Sequence, residues 1–151
     1  MLYNAIMELR KLIKQYIEEK EIMQLATVSD GNPWICTVNY VFDEDLSLYW
    51  MSLRSTRHSK ELKIDPRTAV AILVESKEKK CIHLEGSSYE VPKENLEFAN
   101  KLYADRYGNK PKRLEEAKSG DEKLRAYYVF NPKRIVLFDE NSDNERQELE
   151  I

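Results

Sequence analysis

The sequence contains few of the residues that build metal and redox centres. Among its 151 residues there are two cysteines, Cys36 and Cys81, and two histidines, His58 and His83. The cysteines do not form a Cys-x-x-Cys pair, and ligands so widely spread do not match the spacing of a structural zinc site. We therefore predict no metal site. Both cysteines lie in strand-like surroundings, where a free thiol usually acts as a small hydrophobic group.

The sequence also lacks an excess of positive charge and a long apolar segment. A net charge of −3 and a pI near 5.6 argue against a nucleic-acid-binding protein that works through a broad basic face. No apolar run approaches the roughly 20 residues that a membrane-spanning helix needs. Residues 1–6 begin an amphipathic pattern and contain no signal-peptide core. We expect a cytoplasmic protein with neither nucleic acid nor membrane as a partner.

Hydrophobic periodicity predicts an N-terminal helix followed by antiparallel strands in one domain, 1–151. Residues 2–21 place apolar side chains at helical spacing, residues 22–138 alternate strands with turns, and residues 139–151 form a polar tail whose last residues we expect to be loosely held. Tight turns between consecutive strands favour antiparallel pairing, and closure into a barrel removes exposed sheet edges. The predicted strands are 23–29, 34–42, 46–53, 68–75, 81–91, 126–130 and 134–138.

Several single residues refine this outline. Strand 68–75 is apolar at successive positions, so we expect it to be buried on both faces. Gly86, inside a long strand, suggests a bulge or a close approach of another backbone. Pro92 fits the first position of the next helix. Trp34 and Trp50 are expected in the core.

The most informative segment is an apolar strand, 48–53, which ends in a hydroxyl-rich turn and leads into a short helix. The first turn of that helix carries Arg57, His58 and Lys60. A helix N-terminus already holds roughly half a positive charge, so cations are unfavourable there unless an anion lies among them. A phosphate would satisfy these side chains and the free backbone N–H groups together. The alternative is a solvated basic turn.

The order of several segments is typical of one known family. The segments are 25–28, the turn 29–33, Val38-Asn39-Tyr40, 48–52, the basic helix start at 57–62, 65–70, 84–86 and 130–135. In this order and spacing the chain resembles the FMN-binding split-barrel family, whose best-known member is pyridoxamine 5′-phosphate oxidase. The resemblance implies a mainly β fold with peripheral helices, an antiparallel split β-barrel that binds FMN.

The same resemblance implies a homodimer with FMN bound at the subunit interface. Arg57 and His58 take the positions that hold the FMN phosphate in the family, Lys60 adds charge, and Ser52, beside Leu53 at the strand end, matches a hydroxyl that contacts the phosphate. The strand containing Thr37 passes its backbone along the edge of the isoalloxazine ring. The predicted cofactor site is therefore Thr37, Val38, Asn39, Ser52, Leu53, Arg57, His58 and Lys60.

The predicted activity is that of an FMN-dependent oxidoreductase acting on an unknown small-molecule substrate or electron donor. Two departures from the family argue against pyridoxamine 5′-phosphate oxidase activity itself. A family arginine is replaced by Cys36, and the substrate-binding arginine–leucine–histidine run corresponds to Arg134-Ile135-Val136. No residue stands out as catalytic. The alternative is a non-catalytic protein of the same fold that holds FMN, a deazaflavin or haem, with His58 or His83 as the only histidines available for an iron ligand.

Overall fold

Eight strands and four helices make up the protein in a computed structural model that describes residues 1–151. No helix is long and apolar enough to span a bilayer. A short 3-10 turn, Lys93–Asn95, precedes the third helix. In chain order the elements are α1 (Leu2–Glu19), β1 (Ile22–Ser29), β2 (Asn32–Asn39), β3 (Val41–Phe42), β4 (Leu48–Leu53), α2 (Arg57–Ile64), β5 (Arg67–Glu75), β6 (Lys80–Glu90), α3 (Leu96–Tyr107), α4 (Pro111–Ser119), β7 (Arg125–Asp139) and β8 (Arg146–Glu150).

All eight strands belong to one antiparallel sheet with the order β2-β1-β5-β6-β7-β4-β3. The long strand β7 pairs with β4 through its first half and with β8 through its second half. The predicted split-barrel architecture with an N-terminal helix and helices between strands is confirmed. Because β2 ends the sheet order, one of its edges has no strand partner.

The core lies on the concave side of the sheet, under α1. The helix buries Ile13 and Ile17 completely, and Trp50 stacks on Tyr128 with ring centroids 5.5 Å apart. A second apolar cluster lies on the other side of β4 and β7, where α3 and α4 pack. The sheet is therefore covered on its convex side only over these two strands.

Strand β5 departs from its prediction. Its inner residues, including Val70 and Ile72, are buried, but Ala69 and Leu73 are exposed. The prediction that both faces are buried is therefore wrong for the single chain. An uninterrupted apolar run has the same composition whether its second face is covered by the same chain or left open, so the sequence pattern did not distinguish the two cases.

The predicted close approach at Gly86 is confirmed. A Cβ atom at this position would lie 2.1 Å from the backbone oxygen of Asn131. The pairing of β6 with β7 shifts register here, with Gly86 opposite Pro132. The register shift accommodates the proline, which has no N–H to donate. The prediction of two separate strands was wrong, because β7 continues through Pro132 as one strand of 15 residues.

The C-terminal segment is a strand and not a loose tail. β8 pairs with residues 134–138 of β7, and Leu149 is 4% exposed in the main core. One apolar residue among four polar ones is too weak a signal to predict a strand. Two smaller predictions are also wrong. Pro92 is extended and precedes the 3-10 turn, and Trp34 is 41% exposed.

Candidate functional site

A cleft of about 540 Å³ lies between β2, β4 and α4. Beyond the short pairing with β3, residues 50–53 of β4 have no strand on that side, and β2 is the other end of the sheet order. The cleft is thus the split in the barrel. Of the predicted cofactor residues, Thr37, Val38, Asn39, Ser52 and His58 line it, whereas Leu53, Arg57 and Lys60 do not.

Strand β2 contributes backbone as well as side chains to the cleft. Thr37 and Asn39 are exposed while Val38 is half-buried, as expected for an edge strand with one covered face. The backbone N–H and C=O groups on the free edge of such a strand are not used by the sheet. They are available to a ligand with alternating donors and acceptors. Val38, Met51 and Tyr103 supply an apolar wall beside them.

Ser52 and His58 form a hydrogen-bonded pair on the cleft wall. The Nε2 atom of His58 lies 2.9 Å from Ser52 Oγ and 3.2 Å from the Oγ1 atom of Thr56. Thr56 caps α2 by accepting a hydrogen bond from the backbone N–H of Ser59, which fixes the helix start and hence the ring. Burial lowers the pKa of His58, and the smaller opposing effect comes from Glu61. At neutral pH the ring is therefore a neutral hydrogen-bonding group.

Arg57 points away from the cleft. Its Nε atom donates to Glu61 Oε1 at 2.7 Å, and its guanidinium carbon lies 4.2 Å from the ring centroid of Trp34. Glu61 also accepts from Thr27 Oγ1 at 2.6 Å, and these two hydrogen bonds lower the pKa of its carboxyl. An acidic residue four positions after a cation is the ordinary helical partner. The charge on Arg57 is thus already compensated, and Trp34 covers it on the surface.

Four cations that the sequence analysis did not select line the cleft: Lys110, Lys112, Arg113 and Arg125. Lys110 is the N-cap residue of α4 without a side-chain cap, and the first turn of the helix has no acidic residue. The segment Lys110-Pro111-Lys112-Arg113 therefore shows the same charge pattern as the start of α2. This pattern alone could have predicted a second basic helix start. Arg125 gave no such signal, because only the pairing of β7 with β4 brings it opposite Leu53.

The position of α4 depends on Arg54, which is 2% exposed. Its guanidinium donates to the carbonyl of Ala117 at 3.0 Å and that of Asp121 at 2.9 Å, and its Nε donates to Glu90 at 2.9 Å. These bonds satisfy carbonyls at and beyond the C-terminal end of α4. A residue of the turn after β4 thus holds the basic helix over the cleft.

The cleft is strongly positive in a protein whose net charge is −3. Its four cations face one carboxylate, that of Glu116. Its volume lies in the range of small-molecule and cofactor sites. The combination of cations, a hydroxyl, a neutral imidazole, a free strand edge and an apolar wall fits a planar aromatic ligand that carries phosphate.

The remaining histidine and the cysteines lie elsewhere. His83 is exposed on the open face of β6, with Nε2 3.4 Å from Cys81 Sγ. Burial raises the pKa of Cys36 to about 11 and raises that of Cys81. Neither thiol is ionised at neutral pH. No group of three or more His, Cys, Asp or Glu side chains is arranged to hold a metal ion.

Residues 9–139 match the family described as pyridoxamine 5′-phosphate oxidase. A UPF0306 protein of Yersinia pseudotuberculosis is 30% identical over 67 residues, which are 44% of this chain and 46% of the relative. The match therefore spans less than half the length of the curated relatives.

Two solved structures show the same fold. A haem-binding protein from Mycobacterium smegmatis has a TM-score of 0.69 at 19% identity, over 89% of this chain and 55% of that chain. A FAD-binding protein from Mesorhizobium loti has a TM-score of 0.63 at 14% identity, over 82% of this chain and 87% of that chain. At such identities the likeness concerns the fold alone.

Proposed function

Because this chain belongs to the pyridoxamine 5′-phosphate oxidase family, we propose that it binds FMN in the cleft between β2, β4 and α4. The bound flavin would serve an oxidoreductase that acts on an unidentified small molecule. The observation that carries the proposal is the Ser52–His58 pair, which lies among four cations beside the free edge of β2.

Each wall of the cleft has a separate task in this proposal. Ser52 donates a hydrogen bond to the phosphate, His58 orients the Ser52 hydroxyl through its Nε2 atom, and Lys110 and Arg113 add positive charge at the start of α4. The free backbone groups of β2 lie along the ring system. When bound, the flavin supplies hydride or electron transfer, while the chain positions it and sets the surrounding charge.

The open face of the sheet supports the homodimer that the family resemblance implies. Ala69 and Leu73 are exposed on β5, and beside them a cavity of about 350 Å³ is lined by Ile35, Ala71 and Val136 among others. Charged side chains, including Glu85 and Arg134, border these residues, and an exposed apolar patch with a polar rim is typical of a protein interface. We propose that two copies associate through this face.

The contacts of Arg134 support a substrate other than pyridoxamine 5′-phosphate. Its Nη2 atom lies 2.8 Å from Glu148 Oε1, and its side chain lines the outer cavity and not the cleft. These contacts are those of an ion-pair partner on the surface and not of a substrate-binding residue.

The cleft suits a deazaflavin better than it suits haem. The similarity to a haem-binding protein keeps haem as a candidate. However, His58 Nε2 already faces two hydroxyl groups and His83 lies outside the cleft. A deazaflavin would use the same phosphate and ring contacts as FMN, so we keep it as the second candidate.

An absorption spectrum of the purified protein, followed by titration with FMN, tests the proposal. We expect flavin bands, or saturable uptake of one FMN per chain. A Soret band would replace flavin by haem. A colourless protein that binds neither FMN nor a deazaflavin at micromolar concentration would contradict the proposed function.

A further inference from the structure

Glu116 is the one acidic residue on the cleft wall, and its side chain is incompletely satisfied. The residue is 8% exposed, and its Oε2 atom has no hydrogen-bond partner. The nearest cations are Arg125, with Nη1 3.8 Å from Oε2, and Lys112, with Nζ 3.9 Å from Oε1. Both distances exceed the 2.7–3.2 Å of an ordinary N–H···O bond.

Local structure does not account for this side chain. The backbone oxygen of Glu116 accepts from Ser119 Oγ at 2.6 Å and from Arg54 at 3.4 Å, so the main chain is satisfied. A buried carboxylate oxygen without a hydrogen bond is costly, so such an atom beside a cleft indicates a partner outside the chain. Since Glu116 lines the cleft, the missing partner is best sought in the ligand.

The surroundings of Glu116 specify what that partner looks like. One acceptor, the carboxylate, stands between two donors, Lys112 and Arg125. Rotation about the broad terminal torsion of a glutamate can turn either oxygen toward the cleft. The complementary ligand group is an N–H flanked by two carbonyls, which is an imide. The pyrimidine edge of a flavin or deazaflavin has this order. Haem has no such group, and its propionates would be repelled by Glu116.

We propose that Glu116 recognises the imide edge of the flavin ring. The N3–H group donates to the Glu116 carboxylate, and Lys112 and Arg125 approach the flanking carbonyl oxygens. Glu116 would thereby select flavins over anionic ligands without an imide donor. This inference rests on the proposed function, because it names the residue that reads the ring of the same ligand.

The test compares FMN with N3-methyl-FMN, which keeps the phosphate but lacks the imide donor. We expect the wild-type protein to bind N3-methyl-FMN at least about tenfold more weakly than FMN, the size expected for a hydrogen bond to a charged group. In Glu116→Ala we expect FMN to bind about tenfold more weakly and the two ligands to bind alike. The effect of N3-methylation in the wild-type protein minus its effect in Glu116→Ala measures the contact between N3–H and Glu116.

Glu115→Ala is the matched control, because Glu115 is the exposed neighbour of the same charge on the same helix. We expect it to keep both the FMN affinity and the preference for FMN over the methylated ligand. If Glu116→Ala does not fold, Glu116→Met, which keeps the length of the side chain but has no carboxylate, takes its place in the same comparison.

Equal binding of FMN and N3-methyl-FMN by the wild-type protein would overturn the role of Glu116 while leaving FMN binding intact. An unchanged preference for FMN in a folded Glu116→Ala variant would do the same. Failure of the wild-type protein to bind FMN at all would overturn the proposed function and this inference with it.

Discussion

Among single side chains, the two basic residues that begin α2 have different surroundings. His58 faces the cleft and shares its Nε2 atom between Ser52 and Thr56, whereas Arg57 is engaged by Glu61 and Trp34. Neighbouring residues on a helix differ by about 100° in direction, so adjacent cations need not serve one ligand. The phosphate contact expected of Arg57 from the family resemblance stays a prediction, and the comparison with Ser52 tests it.

Ser52→Ala should weaken FMN binding by about tenfold or more, because a hydrogen bond to a charged group is worth roughly 1.5–3 kcal/mol. Arg57→Ala should weaken it less, since the Nε atom of Arg57 is already bound and its side chain does not line the cleft. Titration calorimetry with FMN and with riboflavin, which lacks the phosphate, separates the phosphate contact from the ring contacts. Ser55→Ala, in the exposed turn, is the control. A larger loss for Arg57→Ala would place the phosphate outside the cleft.

Acidification should destabilise the ligand-free protein through His58. Burial holds its folded pKa below the ordinary 6.5, so the unfolded chain binds more protons just below pH 6.5 and the free energy of unfolding falls as the pH is lowered. Urea denaturation between pH 7.5 and 5 measures this slope, which should be smaller in His58→Gln and unchanged in His83→Gln. The lowered carboxyl pKa values of Glu61 and Glu148 act in the same direction only below about pH 4.5. An identical slope in His58→Gln would show that the histidine is not the cause.

Among the helices and strands, α2 and α4 show that similar sequence patterns can end in different local structures. Both begin with clustered cations, but α2 has the cap Thr56 and the partner Glu61, whereas α4 has no side-chain cap. The unmet positive charge therefore lies at the start of α4. Arg54 fixes this helix by binding carbonyls at its other end. A helix placed by a buried arginine from another element is beyond what local periodicity can predict.

Strand β8 contributes to the main core through a single apolar side chain. Leu149 is 4% exposed and belongs to the cluster under α1. Leu149→Ala should lower the free energy of unfolding by about 2–4 kcal/mol, because it removes buried methyl groups and leaves a cavity. Glu150→Ala, one position along on the exposed side, should change stability by less than about 0.5 kcal/mol. Denaturation curves that are identical for the two variants would show that β8 is frayed in solution.

In the whole molecule, the curled sheet has one covered face and one that is largely open. α1 fills the concave side, while β5 and β6 present Ala69, Leu73 and His83 outward. The cleft lies where the two ends of the sheet approach each other. Because this face is open, β5 is exposed on one side in the single chain, although its sequence is typical of a strand buried on both faces.

Leu73→Asp should convert the proposed dimer into monomers without unfolding them. The side chain is 57% exposed in the single chain, so the monomer loses little, whereas an unpaired charge in an apolar interface is strongly unfavourable. Sedimentation velocity measures the change, and Ile64→Asp, at a 74% exposed position at the end of α2, is the control. A wild-type monomer with bound FMN, or a Leu73→Asp dimer, would contradict association through this face.

Local sequence patterns were sufficient for β1, β4, β5 and β6, for the N-terminal helix and for the start of α2. Alternation, turn residues and helical spacing act over a few residues, so they can be read without knowing the fold. For the same reason Ser52 and His58 could be selected, since both flank one turn. The family resemblance, and not periodicity, assigned β2 to the cofactor site and implied the split of the barrel.

Contacts between distant segments needed the folded chain. Strand register brings Arg125 to the cleft, Arg54 holds α4 over it, and packing leaves Glu116 with an unpaired oxygen. These arrangements depend on which elements become neighbours and on how a sheet curls, and no window of sequence contains that information. Local propensity therefore determined the elements and one wall of the site, while long-range packing determined the opposite wall and its charge.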